Sequence, residues 1–148
     1  MASVYLDTSA LVKLYIEEEG TAHVVRAAEG SDAHHVVILD IARVESRSAV
    51  RRREREGDIP GAEANRILSR IEQDVSSFFL VQPSSSAVIE EAARLVDRYP
   101  LRALDALQLA GSLVFQRGSP GPVTFVCADA PLCRAAESEQ LATVNPLT

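Results

Sequence analysis

Lysine is almost missing from this sequence. Of its 15 basic residues, Lys13 is the one lysine and the rest are arginine. A Gly-Lys-Ser/Thr phosphate loop is therefore absent, as is the late strand-end lysine of a phosphoacceptor receiver domain. Cysteine is scarce too. Cys127 and Cys133 have the spacing of neither a Cys-x-x-Cys pair nor a zinc knuckle, and read as two small buried thiols. His23, His34 and His35 show no ligand spacing, and adjacent His34 and His35 on a strand would point to opposite faces. A histidine-based metal site or a Cys/His nucleophile is not what this pattern builds. No apolar run approaches the roughly 18 residues of a membrane span; Val36-Val37-Ile38-Leu39 is a core strand at most. The opening Met1-Ala2-Ser3-Val4-Tyr5-Leu6-Asp7 carries no basic leader segment, so a soluble, cytoplasmic protein is expected. A net charge of −6 does not suggest a protein that coats phosphates.

What is present is globular: 148 residues, 47% apolar and 24% charged, close to the prior for one domain spanning 1–148. A domain of this size buries about 68–70% of its unfolded surface and needs no disulfide or metal staple. Strand and helix signals alternate to the end. Val4–Leu6 reads as a strand, followed by a helix through Ala10, Leu11, Leu14 and Tyr15 that ends near Glu17–Gly20. A helix over Thr21–Glu29 stops at Gly30, and His34–Ile38 is β-rich. Asp40 is placed to cap a long helix to about Glu56, ended by Gly57, with a further helix from Ala62 to about Asp74. Phe78–Val81 is a strand, Ala87–Asp97 a helix, and another helix runs from about Arg102 to Gln116. Val123–Cys127 is a strand, Pro131 to about Gln140 a helix, and Thr143-Val144 a last short strand. The alternation predicts a three-layer α/β/α domain on a mostly parallel central sheet of four to five strands.

Ligands of open parallel sheets bind outside the carboxyl ends of the strands. Asp7 and Asp129 follow predicted strands there, and each could equally cap the next helix. Two further acids stand in unexpected company. Asp105 is the one acid of a helix apolar on nearly every side, Leu101 to Phe115, with Gln108 as a possible neighbour. A buried carboxylate there must be paired, protonated or metal-bound, and Arg102 is the available pairing partner. Glu45 shares a helix stripe with Ile41, Ala42, Ser48 and Ala49 and is expected to face inward. Hard oxygen ligands without His or Cys suit Mg²⁺ or Mn²⁺. With such an ion, four carboxylates can serve phosphodiester hydrolysis.

On Glu45's helix, Arg43, Arg47, Arg51 and Arg55 recur every four residues. Glu45 lies about 200° around the axis from Arg43, so this ladder faces away from the acids and is expected to serve a partner. Arg52, seven residues after Glu45, returns to nearly the same face about 10 Å along the axis, within reach of substrate phosphates.

Four segments in order carry a resemblance: V-Y-L-D-T-S-A-L-V-K-L-Y, I-A-R-V-E, L-D-A-L-Q-L-A and F-V-C-A-D-A-P-L-C-R-A-A. From Val4 to Pro146 the chain resembles PIN-domain ribonucleases, specifically the VapC-type toxins of bacterial type II toxin–antitoxin pairs. The resemblance implies that Asp7, Glu45, Asp105 and Asp129 are catalytic, metal-binding acids, and that Thr8 or Ser9 orients Asp7 or touches the metal's surroundings. It further implies an endoribonuclease cutting structured or translational RNA, a VapB-type antitoxin whose tail blocks the acidic cleft, and homodimers that join it in hetero-oligomers. Two positions depart from the pattern: Cys127 and Asp40 stand where Ser or Thr is usual, with consequences for hydrogen bonding around the ligands. A DNA or flap nuclease of the same fold would use the same acids. A non-catalytic PIN-like binding module would be expected to have lost one or more, and all four are here. A dehalogenase-type phosphatase needs Asp-x-Asp after its first strand, where this chain has Ser9.

Overall fold

The computed structural model describes residues 2–30 and 33–148. Five strands form one parallel sheet: β1 (Ala2–Leu6), β2 (Ala33–Leu39), β3 (Leu80–Gln82), β4 (Val123–Val126) and β5 (Ala142–Val144), in the order β3-β2-β1-β4-β5. The chain winds outward from β1 through β2 to β3, then returns to place β4 on β1's other side. The reversal opens a crevice at the carboxyl ends of β1 and β4, where such sheets bind ligands. Asp7 N–H donates to the Val126 carbonyl at 3.1 Å and pins the two ends together.

Alternation along the strands divides the core into two. Val4, Leu6, Val36, Ile38 and Val126 face one side, covered by α1 (Thr8–Val12), α2 (Thr21–Glu29), α3 (Ala42–Arg55) and α4 (Gly61–Ser77). Tyr5, Val37, Leu39 and Phe125 face the other, under α5 (Ser86–Arg98), α6 (Ala103–Gly118) and α7 (Ala130–Ser138). Burial on both faces is why the strands read as continuous apolar runs. The expected three-layer α/β/α arrangement is the one observed, and the sheet has five strands. The side chain of His34, expected opposite that of His35, lies outside the described residues.

Two local expectations are corrected. The first helix is much shorter than its apolar period suggested. After Val12 the backbone tightens into i→i+3 bonds, Lys13 to Ala10, Leu14 to Leu11 and Tyr15 to Val12, the geometry in which helices commonly end. Nor does Asp40 cap α3, whose N-cap is Ile41 with no side-chain bond. Asp40 instead accepts from the backbone N–H of Ser84 at 3.0 Å and from its hydroxyl at 2.5 Å, tying the end of β2 to the loop before α5. Gly57, at φ +82°, turns the chain after α3 as expected of a helix-ending glycine.

Candidate active site

The crevice at β1 and β4 is a cleft of about 400 Å³, and it brings together all four acids named from the sequence. Asp7 comes from the end of β1, Glu45 from the first turn of α3, Asp105 from the first turn of α6, and Asp129 from the turn before α7. Thr8, Ser9, Val12, Lys13, Glu18, Ala49, Arg52, Arg53 and Gln108 complete its walls.

Cap and site are not alternatives for the strand-end acids. Asp7 Oδ1 accepts from Ala10 N–H at 2.9 Å and so caps α1, while Ser9 Oγ donates to both carboxylate oxygens at 2.7 and 2.9 Å. Ser9 Oγ also accepts from Ala128 N–H at 3.0 Å, which carries the connection across to β4. Asp129 caps α7 through Oδ1 and Leu132 N–H at 3.0 Å. Its Oδ2 accepts no hydrogen bond among the described residues.

Thr8 turns toward Glu45 rather than Asp7. Its hydroxyl donates to Glu45 Oε1 at 2.9 Å and accepts from Gln108 Nε2 at 3.0 Å; Gln108 Nε2 also donates to Glu45 Oε1 at 2.8 Å. Gln108 is buried, and its own amide oxygen has no partner among the described residues. It joins α6 to α1 and α3. The sequence offered it only as a neighbour of Asp105, because a bond spanning 63 residues leaves no trace in local periodicity.

Asp105 is half-buried rather than buried. It sits in the first turn of α6, where the helix enters from solvent and Leu104 is itself exposed. The apolar run that follows encloses later turns. No ion pair joins Asp105 to Arg102 among the described residues, although the guanidinium favours the ionised carboxylate. Asp40, one of the two departures from the expected pattern, lies outside the cleft. Cys127 is buried beside it, with Sγ 3.8 Å from the Asp129 carbonyl oxygen.

Electrostatics define what the cleft lacks. Burial pushes the Asp7 carboxyl up to about 7; the bonds from Ser9 and Ala10 oppose this, and the charges of Asp105 and Glu45 add to it. Asp105 is likewise raised, by burial and then by Asp129 and Glu45. None of the four makes an ion pair among the described residues. As they stand, no three such side chains among the described residues form a ready coordination cluster. The donor chemistry nevertheless fits a hard divalent cation: four carboxylates from four elements, no His or Cys among them, and mutual repulsion that positive charge would relieve.

The arginine ladder is only partly free. Arg43 pairs with Glu72 at 3.2 Å, and Arg51 pairs with Glu54 at 2.8 Å and donates to Asn65 at 3.0 Å. Arg47 and Arg51 border an open groove of about 880 Å³ against α4 that contains none of the four cleft acids. Half of the ladder thus serves contacts within the chain. Arg52, in contrast, lines the acidic cleft. Lys13, Glu18 and Arg53 line it too, and no spacing pattern had marked them as parts of a site.

The family model for the PIN domain matches residues 4–113. No curated protein sequence matches the chain. Among solved structures, the fold is similar to that of FitAcB from Neisseria gonorrhoeae, with 19% identity over 97% of each chain and a TM-score of 0.66. It is similar to a toxin–antitoxin complex from Klebsiella pneumoniae, with 16% identity, 97% of this chain and 98% of that one covered, and a TM-score of 0.67. VapBC2 from Rickettsia felis, bound to a promoter DNA fragment, matches with 12% identity over 98% of each chain and a TM-score of 0.63.

Proposed function

This chain belongs to the PIN-domain family, and we propose that it is a divalent-metal-dependent endoribonuclease, the VapC-type toxin of a toxin–antitoxin pair. The observation that carries this reading is the convergence of Asp7, Glu45, Asp105 and Asp129 on one cleft at the reversal point of the sheet. These residues would hold Mg²⁺ or Mn²⁺. When bound, such an ion supplies Lewis-acid stabilisation of phosphoryl charge and a lowered pKa for attacking water. The chain's own part is positional. Ser9 fixes the plane of the Asp7 carboxylate, and Thr8 with Gln108 fixes Glu45 by one of its oxygens. Glu45 Oε2, Asp129 Oδ2 and both carboxylate oxygens of Asp105, without hydrogen bonds among the described residues, are the acceptors left for a cation. Arg52 binds substrate phosphate beside them.

The partners follow from the same reading: a VapB-type antitoxin whose tail covers the cleft, and a second copy of the chain, all in the cytoplasm. Similarity to a toxin–antitoxin complex supports the antitoxin as a partner. No helix among the described residues is long and apolar enough to cross a membrane. The test is cleavage of RNA by protein freed of any antitoxin. Cleavage with Mg²⁺ or Mn²⁺, stopped by EDTA and by Asp129→Asn, is expected; full activity in EDTA overturns the mechanism. Parallel incubation with single-stranded and flap DNA separates an RNase from a DNA nuclease on this fold. A small overlapping upstream reading frame encoding a DNA-binding N-terminus would identify the antitoxin.

A further inference from the structure

The one lysine of the chain is not on the surface. Lys13, at the end of α1, is buried in the wall of the acidic cleft, and its Nζ lies 2.9 Å from Glu18 Oε1. The other oxygen of Glu18 takes Arg53 of α3. One carboxylate from the loop between α1 and α2 thereby gathers two cations from two different elements into the cleft. Burial alone would raise the Glu18 carboxyl, but Lys13 and Arg53 hold it below the usual range, so it stays ionised. Each cation keeps donors in reserve. An ammonium has three and a guanidinium five, and each spends one on Glu18.

Position along α3 says where this pair stands relative to the acids. Arg53 follows Glu45 by eight residues, about 12 Å along the helix axis. The cleft is thus acidic at the strand ends and cationic at the far end of the same wall. A phosphate cannot be stabilised by bare carboxylates, but a neighbouring phosphate of the same strand can rest on the cations.

We propose, on the premise that the cleft is the nuclease site, that Lys13 and Arg53 form a two-cation seat for a phosphate of the RNA strand adjacent to the one being cut. The seat fixes how the single strand lies across the cleft. Because both cations converge on one anion, they hold one phosphate between them.

The experiment measures binding of a fluorescein-labelled 2′-O-methyl RNA hexamer in Ca²⁺, by anisotropy across a salt series. Lys13→Met/Arg53→Gln is expected to bind about 10-fold more weakly at 0.1 M salt, with a salt slope shallower by about 0.7, one single-strand phosphate contact. Arg66→Gln, an exposed α4 arginine paired with Glu63, should match wild type. Mn²⁺ affinity should be unchanged in the double variant, which a general collapse of the cleft would not allow. Should the buried Lys13 substitution prevent folding, Arg53→Gln alone decides by the same slope. A wild-type slope in folded variants overturns the seat. So does a hexaglutamate peptide that loses affinity while the RNA does not, for that assigns the cations to an acidic protein segment. Failure of the antitoxin-free protein to cleave RNA would instead strike the nuclease reading, and a shallower slope without cleavage would leave the seat standing as an RNA-binding site.

Discussion

Replacing Asp7 by Asn should weaken the proposed RNA cleavage and strengthen the metal-free fold. Asp7 is buried, and its carboxyl stands at about 7 instead of the ordinary 3.8. Ionising it in the folded protein therefore costs about 4 kcal/mol more than in the unfolded chain. The sign follows from the raised value. Below pH 3.8 both states are protonated and there is no penalty; it grows as pH rises from there and is complete above about 7. Asn removes the charge and retains the cap, since Asn and Asp serve about equally as N-caps. It exchanges one acceptor for an amide donor toward Ser9, a loss of about 1 kcal/mol. The net gain at pH 8 in EDTA is then about 3 kcal/mol, which for a chain of this length raises the melting temperature by roughly 6–12 °C. At pH 5 the gain should shrink to well under half. Excess Mg²⁺ should stabilise wild type and not the variant, because only a competent site adds binding free energy to the folded state. Differential scanning calorimetry at the two pH values, with EDTA and with Mg²⁺, tests each step. A variant that melts below wild type at pH 8 in EDTA would show that the Asp7 charge anchors Ser9 and Ala10 more than burial and its neighbours oppose it.

Three other outcomes are expected. Arg52→Ala should lower RNA cleavage more than Arg47→Ala at matched ionic strength, because Arg52 lines the acidic cleft and Arg47 the groove against α4; equal rates would misplace the RNA. Glu139 accepts from Arg94 and from Tyr99 Oη at 2.5 Å each, and its carboxyl, although burial opposes ionisation, is held below the usual range by these partners. Glu139→Gln should cost about 1–3 kcal/mol at pH 7, and the difference should fade as pH drops below 4.5 and the wild-type carboxyl protonates; chemical denaturation at pH 7 and pH 3.5 reads it. A β-carbon added at Gly111 would lie 2.3 Å from Tyr5 Oη, a buried hydroxyl without a partner among the described residues. Gly111→Ala should therefore destabilise by about 1–3 kcal/mol, and Tyr5→Phe, near neutral alone, should recover part of that loss in the double variant.

How far the site was legible depended on whether its signals were local. Asp7 and Asp129 stood out because a strand's end and a helix's start are written within a few residues, and that turn at the reversal point of the sheet is where the cleft forms. Glu45 stood out because a 3.6-residue stripe places it beside Ala42 and Ala49. The same reasoning misjudged Asp105: periodicity describes a helix's flank, and this residue is on its first turn, where enclosure depends on what packs against the end. Asp40 failed for the complementary reason. A cap bond and a bond to a loop 44 residues away cost the same carboxylate, and the second left no local mark. Gln108, Glu18 and Arg53 belong to that class as well, since each joins elements apart in the sequence. Candidate site acids can be read from local anomaly, but the groups that hold them become visible only when the sheet has brought distant helices to one crevice.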